Sequence, residues 1–345
     1  MMKLTALGKN LTSDPNLWRL FFVTAGIFVV MSIIAPARFI SIPNFKAMAF
    51  QAPEIGLLSI AVMIGLLAGG TNLSVVGTGN LSAIMAVLFL LRFAPEGTTG
   101  YHAVLMTGVA LLIAAVCGML CGLLNGFLIA ALGMPALLAT LGTNQFFMGI
   151  GLVFTQGSPL FGLPDAYIAL GNGAVGIVPI PLLVFFLVTA VVGIVLKWTP
   201  FGFKLYMLGT NPVASRFAGI DNTKIIIQTH ILSGIVAAMG GIVMSAHKSS
   251  ANADYGAGYM LQAILIPMLG GVRPGGGFGK LSGVLLAILS LQLLSSGFSM
   301  LRFSTFSREF AWGALLLGVM AYNYCADTNM QKKLILQTKK EAIAE

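Results

Sequence analysis

The chain has 345 residues, of which 57% are hydrophobic and 8% charged, with 19 basic against 10 acidic side chains and a net charge of +9. A soluble domain carries about 25% charged residues. Ten acids cannot coat a globule of this size, so composition excludes a soluble domain, a disordered chain and a nucleic-acid-binding module. In a membrane protein a basic excess serves topology and lipid headgroups, which makes membrane lipid an expected partner. The 42 glycines suit helices packed closely through small residues, and three cysteines give no disulfide framework.

A bilayer-spanning helix needs about 20 apolar residues. Ten runs meet or approach that length: 17–36, 50–70, 73–92, 103–126, 134–155, 175–197, 225–247, 259–272, 281–300 and 309–326. The expected fold class is therefore all-α, a polytopic membrane helix bundle of about ten transmembrane helices, forming one transmembrane domain over residues 1–345. Lys3, Lys9 and Arg19 precede the first run, and Ala35-Pro36-Ala37 loosely mimics a cleavage site. The apolar stretch is long for a signal peptide, so an uncleaved first span is expected. The run at 259–272 is short, and the one at 73–92 opens with polar residues and reads as broken or re-entrant. Both are tolerable only within protein.

Ten spans with a cytoplasmic N-terminus place Lys3, Lys9, Arg19, Lys197, Lys204, Arg216, Lys224, Arg273, Lys280, Lys332, Lys333, Lys339 and Lys340 inside. Arg38, Lys46, Arg92, Lys248, Arg302 and Arg308 fall outside. That asymmetry favours both termini inside for a multi-pass membrane chain.

The long inner connection from Thr199 to Lys224 is the informative segment. Asn211 suits a helix N-cap, Pro212 the first helical position, and Gly219 the residue beyond the end. These predict a free-standing helix of about two turns near 211–219, with Val213 and Phe217 on one face. A helix this short is not stable alone in water. It must rest on a surface, either a cytoplasmic partner protein or lipid.

The stretch Pro274-Gly275-Gly276-Gly277-Phe278-Gly279-Lys280-Leu281 invites comparison with a phosphate-binding loop and fails it. Pro274 stands where the first glycine is required, and Leu281 where Ser or Thr is required. A tight inner turn is expected instead. With no visible ATP site in this chain, any ATP-driven step belongs to another subunit, and no catalytic residue, metal site or cofactor is expected here.

Polar side chains inside spans are costly. The amides are Asn72, Asn80, Asn125, Asn144, Gln145, Gln228, Gln262 and Gln292. Uncharged amides can line a path for a neutral polyhydroxylated solute; equally, each can bond neighbouring helices. As candidates for a substrate pathway we take Asn72, Asn80, Asn125, Asn144, Gln145 and Gln262. Asn72 and Asn80 lead, because Gly69, Gly70, Gly77 and Gly79 around them suggest irregular backbone. His102, His230 and His247 are scattered and read as packing, as do Cys117 and Cys121. Asp165, Asp221, Asp254 and Glu309 fall in loops or at span ends, so no intramembrane acid stands out for ion coupling.

The segment Leu208-Gly209-Thr210-Asn211-Pro212-Val213-Ala214-Ser215-Arg216-Phe217-Ala218-Gly219-Ile220 resembles the coupling-helix region of permease subunits of bacterial carbohydrate importers of the ATP-binding-cassette class, the ribose, xylose and galactose type. Gly69-Gly70-Thr71-Asn72-Leu73-Ser74-Val75, Pro135 to Thr143, Gly157-Ser158-Pro159, Gly162-Leu163-Pro164, Ser233 to Ala238 and Met268 to Gly271 are similar to that family's segments, in order, over about residues 17–326. The family's usual Asp is Asn72 here, and Gln262 stands near a position that is often acidic. The resemblance implies a non-enzymatic transport subunit for a monosaccharide or related polyol. Asn211, Pro212, Val213, Arg216, Phe217 and Gly219 would couple to a cytoplasmic ATPase that carries ATP and Mg. A periplasmic sugar-binding protein and a second permease copy or paralogue would complete the system. An importer permease for nucleosides or branched-chain amino acids is the alternative within the superfamily. A stand-alone secondary transporter is the alternative outside it.

Overall fold

A computed structural model describes residues 15–304 and 306–321. Among the described residues the regular structure is helical apart from one two-stranded hairpin. In order, the elements are α1 (Pro15–Ile34), α2 (Pro36–Phe39), α3 (Ile42–Leu67), α4 (Val75–Phe93), α5 (Gly100–Ala130), α6 (Ala136–Thr155) and α7 (Asp165–Asn172). Next come β1 (Ala174–Val175), β2 (Val178–Pro179), α8 (Ile180–Trp198), α9 (Pro200–Thr210), α10 (Pro212–Phe217), α11 (Asn222–His247), α12 (Tyr259–Leu269) and α13 (Leu281–Met300). A final helix, α14, covers 306–321.

Among the described residues eight helices are long and apolar enough to cross a membrane: α1, α3, α4, α5, α6, α8, α11 and α13. The expected ninth span is α12, whose 11 residues reach about 16 Å, half of a hydrocarbon core. It is tolerated because Ala263, Leu265, Ile266, Pro267 and Met268 are buried against neighbours. The tenth overlaps α14, and its residues 322–326 lie outside the described residues, as do Lys3, Lys9, Lys332, Lys333, Lys339 and Lys340.

Several boundaries move for local reasons. The span expected at 50–70 begins at Ile42, because Ser41 caps the helix by accepting from the Asn44 N–H at 3.4 Å and Pro43 suits the first turn. It ends at Leu67, and residues 68–74 are irregular. The break expected at the start of the 73–92 run is therefore a short unwound segment ahead of α4. The run at 175–197 starts later, at Ile180, since Gly176 at φ +64° turns the β1–β2 hairpin. The connection 156–174 holds a helix of its own: α7 packs on α11 and buries Tyr167 completely.

The Thr199–Lys224 connection corrects another expectation. It holds two helices. Thr199 caps α9, whose Leu205 and Leu208 are buried, and α10 rests on both α9 and α11. The short helix is therefore seated on its own chain rather than free-standing.

α11 is the hub, packing against α5, α3 and α4. Its contact with α5 is backbone-close. A Cβ on Gly122 would lie 2.2 Å from the His230 carbonyl oxygen, and one on Gly234 would lie 2.1 Å from the Gly118 carbonyl oxygen. Gly118 and Gly122, four residues apart, present one small-residue face to α11, the packing expected where lipid provides no hydrophobic drive between helices. α3 is the most enclosed helix, buried almost without interruption from Pro53 to Leu67.

Candidate functional site

The unwound segment 68–74 leaves the first turn of α4 deep inside the bundle, with backbone N–H groups that have no intrahelical acceptor. Inside a membrane each such group must find a partner. Side-chain amides supply them. Asn72 Oδ1 accepts from the Ser74 N–H at 3.1 Å and from the Ser74 hydroxyl at 2.8 Å. Asn144 Oδ1, from α6, accepts from the Gly77 N–H at 3.0 Å.

From there the bonds run across four helices. The Thr143 hydroxyl donates to Asn125 Oδ1 at 2.6 Å, Asn125 Nδ2 donates to Ser74 Oγ at 2.6 Å, and Asn72 Nδ2 donates to Ser233 Oγ at 2.9 Å. Ser233 in turn donates to the Ala61 carbonyl at 2.7 Å. Every member of this chain is buried. The Thr140 hydroxyl reaches the Thr71 carbonyl at 3.1 Å, so the unwound segment is held from both sides.

Of the six pathway candidates, Asn72, Asn125 and Asn144 thus converge on the start of α4. Asn80 lies in the second turn of α4, in regular helix, and donates to the carbonyls of Ala253 at 2.6 Å and Tyr255 at 2.7 Å, fixing the 248–258 loop. Gln145 is exposed on the outward face of α6, and Gln262 is half-buried on α12. Those two do not join the network. His230 is buried, and its Nδ1 has no hydrogen-bond partner among the described residues.

Sequence reasoning passed over Glu54. It lies inside the 50–70 run and is 2% exposed. Its Oε1 meets His247 Nδ1 at the end of α11, and its Oε2 accepts from the Tyr259 hydroxyl at 3.1 Å. The Phe50 ring stacks on the imidazole, with centroids 6.5 Å apart. This corrects two expectations at once: an intramembrane acid exists, and His247 is its partner rather than packing. The signal was present in the sequence as a lone carboxylate in an apolar run. The cluster ties α3, α11 and α12 together near the end of α11 opposite α10. Beside it Lys248 Nζ sits 4.1 Å from the Tyr255 ring centroid, and burial lowers the Lys248 pKa, opposed by the Glu54 charge.

At the other end, α10 is a single capped turn and a half. Asn211 Oδ1 accepts from the N–H groups of Val213 and Ala214, both at 3.0 Å, and Gly219 takes φ +77° just past the end. Ser215 is buried and donates to Asn222 Oδ1 at 2.8 Å, while Asn222 Nδ2 donates to the Pro212 carbonyl at 2.8 Å. This clamp fixes the side of α10 that faces the chain. The opposite side presents Val213, 65% exposed, and Phe217, 88% exposed, with Arg216 exposed beside them.

Behind α10, the glycine-rich turn packs into the bundle. Gly277 N–H donates to the Leu67 carbonyl at 3.0 Å, and a Cβ on Gly209 of α9 would lie 2.0 Å from that same oxygen. The Tyr206 hydroxyl donates to the Gly279 carbonyl at 2.9 Å. The end of α3, the end of α9 and the 274–280 turn therefore form one interlocked contact. Among the described residues no group of three His, Cys, Asp or Glu side chains is placed to hold a metal ion.

The arrangement is a membrane bundle with a hydrogen-bonded amide network around an unwound segment and a short apolar-faced helix outside its spans. Comparison with known proteins agrees. The family described as branched-chain amino acid transport system / permease component matches residues 44–322. The chain is 30% identical to the ribose import permease protein RbsC of Haemophilus influenzae, over 92% of this chain and 98% of that one. It is 32% identical to the autoinducer 2 import system permease protein LsrC of Klebsiella pneumoniae, over 87% of this chain and 84% of the relative. Identity to the D-allose transport system permease protein AlsC of Escherichia coli is 25%, over 87% and 89% of the two chains. No solved structure matches the chain. On the strength of the match over 44–322, this multi-pass membrane protein belongs to the family of branched-chain amino acid transport system permease components.

Proposed function

We propose that the chain is the membrane subunit of an importer for a small polyhydroxylated solute of the ribose and allose class, driven by a separate cytoplasmic ATPase. The substrate class is supported by the printed substrates of the relatives, ribose, allose and autoinducer 2, in preference to branched-chain amino acids. The uncharged amides fit such a solute.

The observation that carries the coupling role is the outward face of α10. Val213 and Phe217 are apolar, on one side of a helix clamped from behind, and open to a partner. A buried aromatic is the usual anchor of an interface. Arg216 beside it can pair with an acid on the partner's rim and set orientation. Asn211, Pro212 and Gly219 hold the helix in shape. ATP and Mg belong to the ATPase, a periplasmic binding protein delivers the solute, and a second copy or paralogue completes the path. Gln145, exposed in the single chain, is available to a path lying between two copies.

The proposed topology is ten spans within one transmembrane domain, with α12 and α14 as the ninth and tenth and both termini inside. The clustering of α9, α10 and the 273–280 turn at one end supports it, since these carry Lys204, Arg216, Arg273 and Lys280. A reporter fused after Glu345 that reads as periplasmic would end that topology. The function is tested in proteoliposomes holding the chain with its ATPase and binding protein. ATP-dependent uptake of labelled ribose or allose is expected. Uptake of leucine but no sugar, or sugar uptake without ATP, refutes the reading.

A further inference from the structure

We infer that His230 contacts the transported solute, its Nδ1 bonding a solute hydroxyl on the α10 side of the amide network. The inference rests on the polyhydroxylated class proposed above.

His230 lies within the spanning helix α11 and is 1% exposed, and its Nδ1 has no hydrogen-bond partner among the described residues. An unpaired polar group inside a membrane protein is costly and points to function. Ser82, Thr107 and Thr189 also carry buried hydroxyls without a partner, but a helical hydroxyl can turn to the carbonyl one turn back. An imidazole has no such local outlet. Packing alone would be served better by an apolar side chain of similar size.

Helical geometry sets the level of the residue. Ala237 and Gly241, further along α11, share its face to within about 20°. That face meets α4, since a Cβ on Gly79 would lie 2.9 Å from the Ala237 carbonyl oxygen and 3.4 Å from Gly241 Cα. α4 begins only at Val75. Asn72, just ahead of it, donates to Ser233 at 2.9 Å, and His230 is about one turn nearer α10 than Ser233. At that level the face meets the unwound segment 68–74 rather than a helix. On the α5 side, a Cβ on Gly122 would lie 2.2 Å from the His230 carbonyl oxygen, and Asn125 follows one turn along α5. His230 is thus set at the level of two members of the network, Asn125 and Ser233.

The chemistry fits a hydroxyl. Asn72, Ser74, Asn125, Thr143 and Ser233 already have partners in one another, whereas the His230 Nδ1 has none. In its neutral form an imidazole carries one donor and one acceptor nitrogen, and a sugar hydroxyl serves either. The side chain of a branched-chain amino acid serves neither. The nitrogen is closed off in this arrangement, but the backbone at its level is unwound. Displacing 68–72 would expose it without breaking a spanning helix, and non-helical backbone at membrane depth belongs where it lines a path.

The test is uptake of labelled ribose or allose into proteoliposomes that hold the full chain with its ATPase and saturating, sugar-loaded binding protein, beside thermal unfolding of the chain in detergent. His230→Leu should lower uptake about tenfold, the scale of one lost hydrogen bond, while the ATPase still co-purifies and the unfolding midpoint is no lower than that of the wild type. His230→Gln, which keeps a donor and an acceptor, should restore most of the uptake. Wild-type uptake by His230→Leu overturns the inference. So does a lowered midpoint in that variant, which would show Nδ1 bonded to a fixed water or neighbour and holding the fold. Uptake by His230→Gln no better than by His230→Leu shows that shape matters rather than the hydrogen bond, and overturns it too. Import of leucine and no sugar by the wild type is a separate failure: it refutes the solute class, and the hydroxyl contact falls with it before any variant is made.

Discussion

Replacing His247 with alanine would leave the Glu54 carboxylate inside the bundle without its ion-pair partner. Glu54 is 2% exposed, but the His247 side chain is 29% exposed, so water replaces the lost partner only from one side and moderates the cost. Removing one member of a buried pair costs about 3–5 kcal/mol. The Tyr259 hydroxyl still donates at 3.1 Å, which places the expected loss at the lower end, about 3 kcal/mol. The control is the double variant Glu54→Gln with His247→Ala. It removes the charge that His247 balanced and keeps an acceptor for Tyr259, so about 2 kcal/mol should return, within the range of couplings between contacting residues. The assay is thermal unfolding of the purified protein in detergent, wild type against both single variants and the double. At about 2 °C per kcal/mol for a chain of this size, His247→Ala should lower the midpoint by about 6 °C and the double variant should recover most of it. A His247→Ala midpoint within a degree of wild type, or a double variant no better than His247→Ala, refutes the account of Glu54 as a buried charge held by His247.

Three further outcomes follow from the same contacts. Asn72→Leu removes both the Ser233 contact and the acceptor of the Ser74 N–H. It should therefore lower solute uptake and cost about 1–3 kcal/mol of stability; wild-type uptake and an unshifted melting curve would count against it. Gly122→Leu drives a side chain to 2.2 Å from the His230 carbonyl and should abolish the monodisperse peak in size-exclusion chromatography, whereas a well-behaved, transport-competent Gly122→Leu would show that α5 and α11 do not meet this closely. Phe217→Ala should cost about 2 kcal/mol or more of contact with the ATPase, the scale of an interface anchor, read as loss of co-purification with the permease still inserted; full retention would return α10 to the lipid surface.

The membrane bundle was legible in the sequence because apolar runs of spanning length are rarely anything else, and eight of the ten expected segments coincide with helices of that kind. The cap of α10 was legible as well, since Asn-Pro followed by Gly has few other uses. What escaped has a common cause. The start of α3 at Ile42 depends on a cap at Ser41 ahead of polar residues, where hydropathy falls and a span seems to end. α9 was missed because its 11 residues are too few to register as a span, although Thr199-Pro200 is a start signal. Glu54 was missed because its meaning lies in partners 193 and 205 residues away, His247 and Tyr259. The amides were visible as expensive residues, but only the fold distinguishes Asn72, Asn125 and Asn144, which satisfy an unwound backbone, from Gln145 on an outward face.

The contact at Gly209 joins these parts. α9 ends at Thr210 and α10 begins at Pro212, so a force on Val213 and Phe217 reaches α9 through the one-residue link at Asn211 and through the packing of α10 on α9. Gly209 is seated where a Cβ would lie 2.0 Å from the Leu67 carbonyl oxygen and 2.3 Å from the Gly277 nitrogen. Leu67 is the last residue of α3, and the next residues are the unwound segment that carries Asn72. A displacement of α10 therefore meets the start of the polar network across one backbone contact, with no flexible side chain to absorb it. Coupling between distant sites requires such a contiguous element with two arrangements. Gly209→Ala tests whether this is the element. The methyl group cannot fit without moving α9 from the end of α3 by more than 1 Å, since ordinary carbon contacts begin at about 3.5 Å. Val213 and Phe217 are untouched, so the ATPase should still co-purify and hydrolyse ATP, while uptake falls at least tenfold. Wild-type uptake by Gly209→Ala would show that the contact transmits nothing. Loss of the ATPase together with uptake would show that Gly209 only supports the seat of α10, and the transmission route would have to be sought along α11 instead.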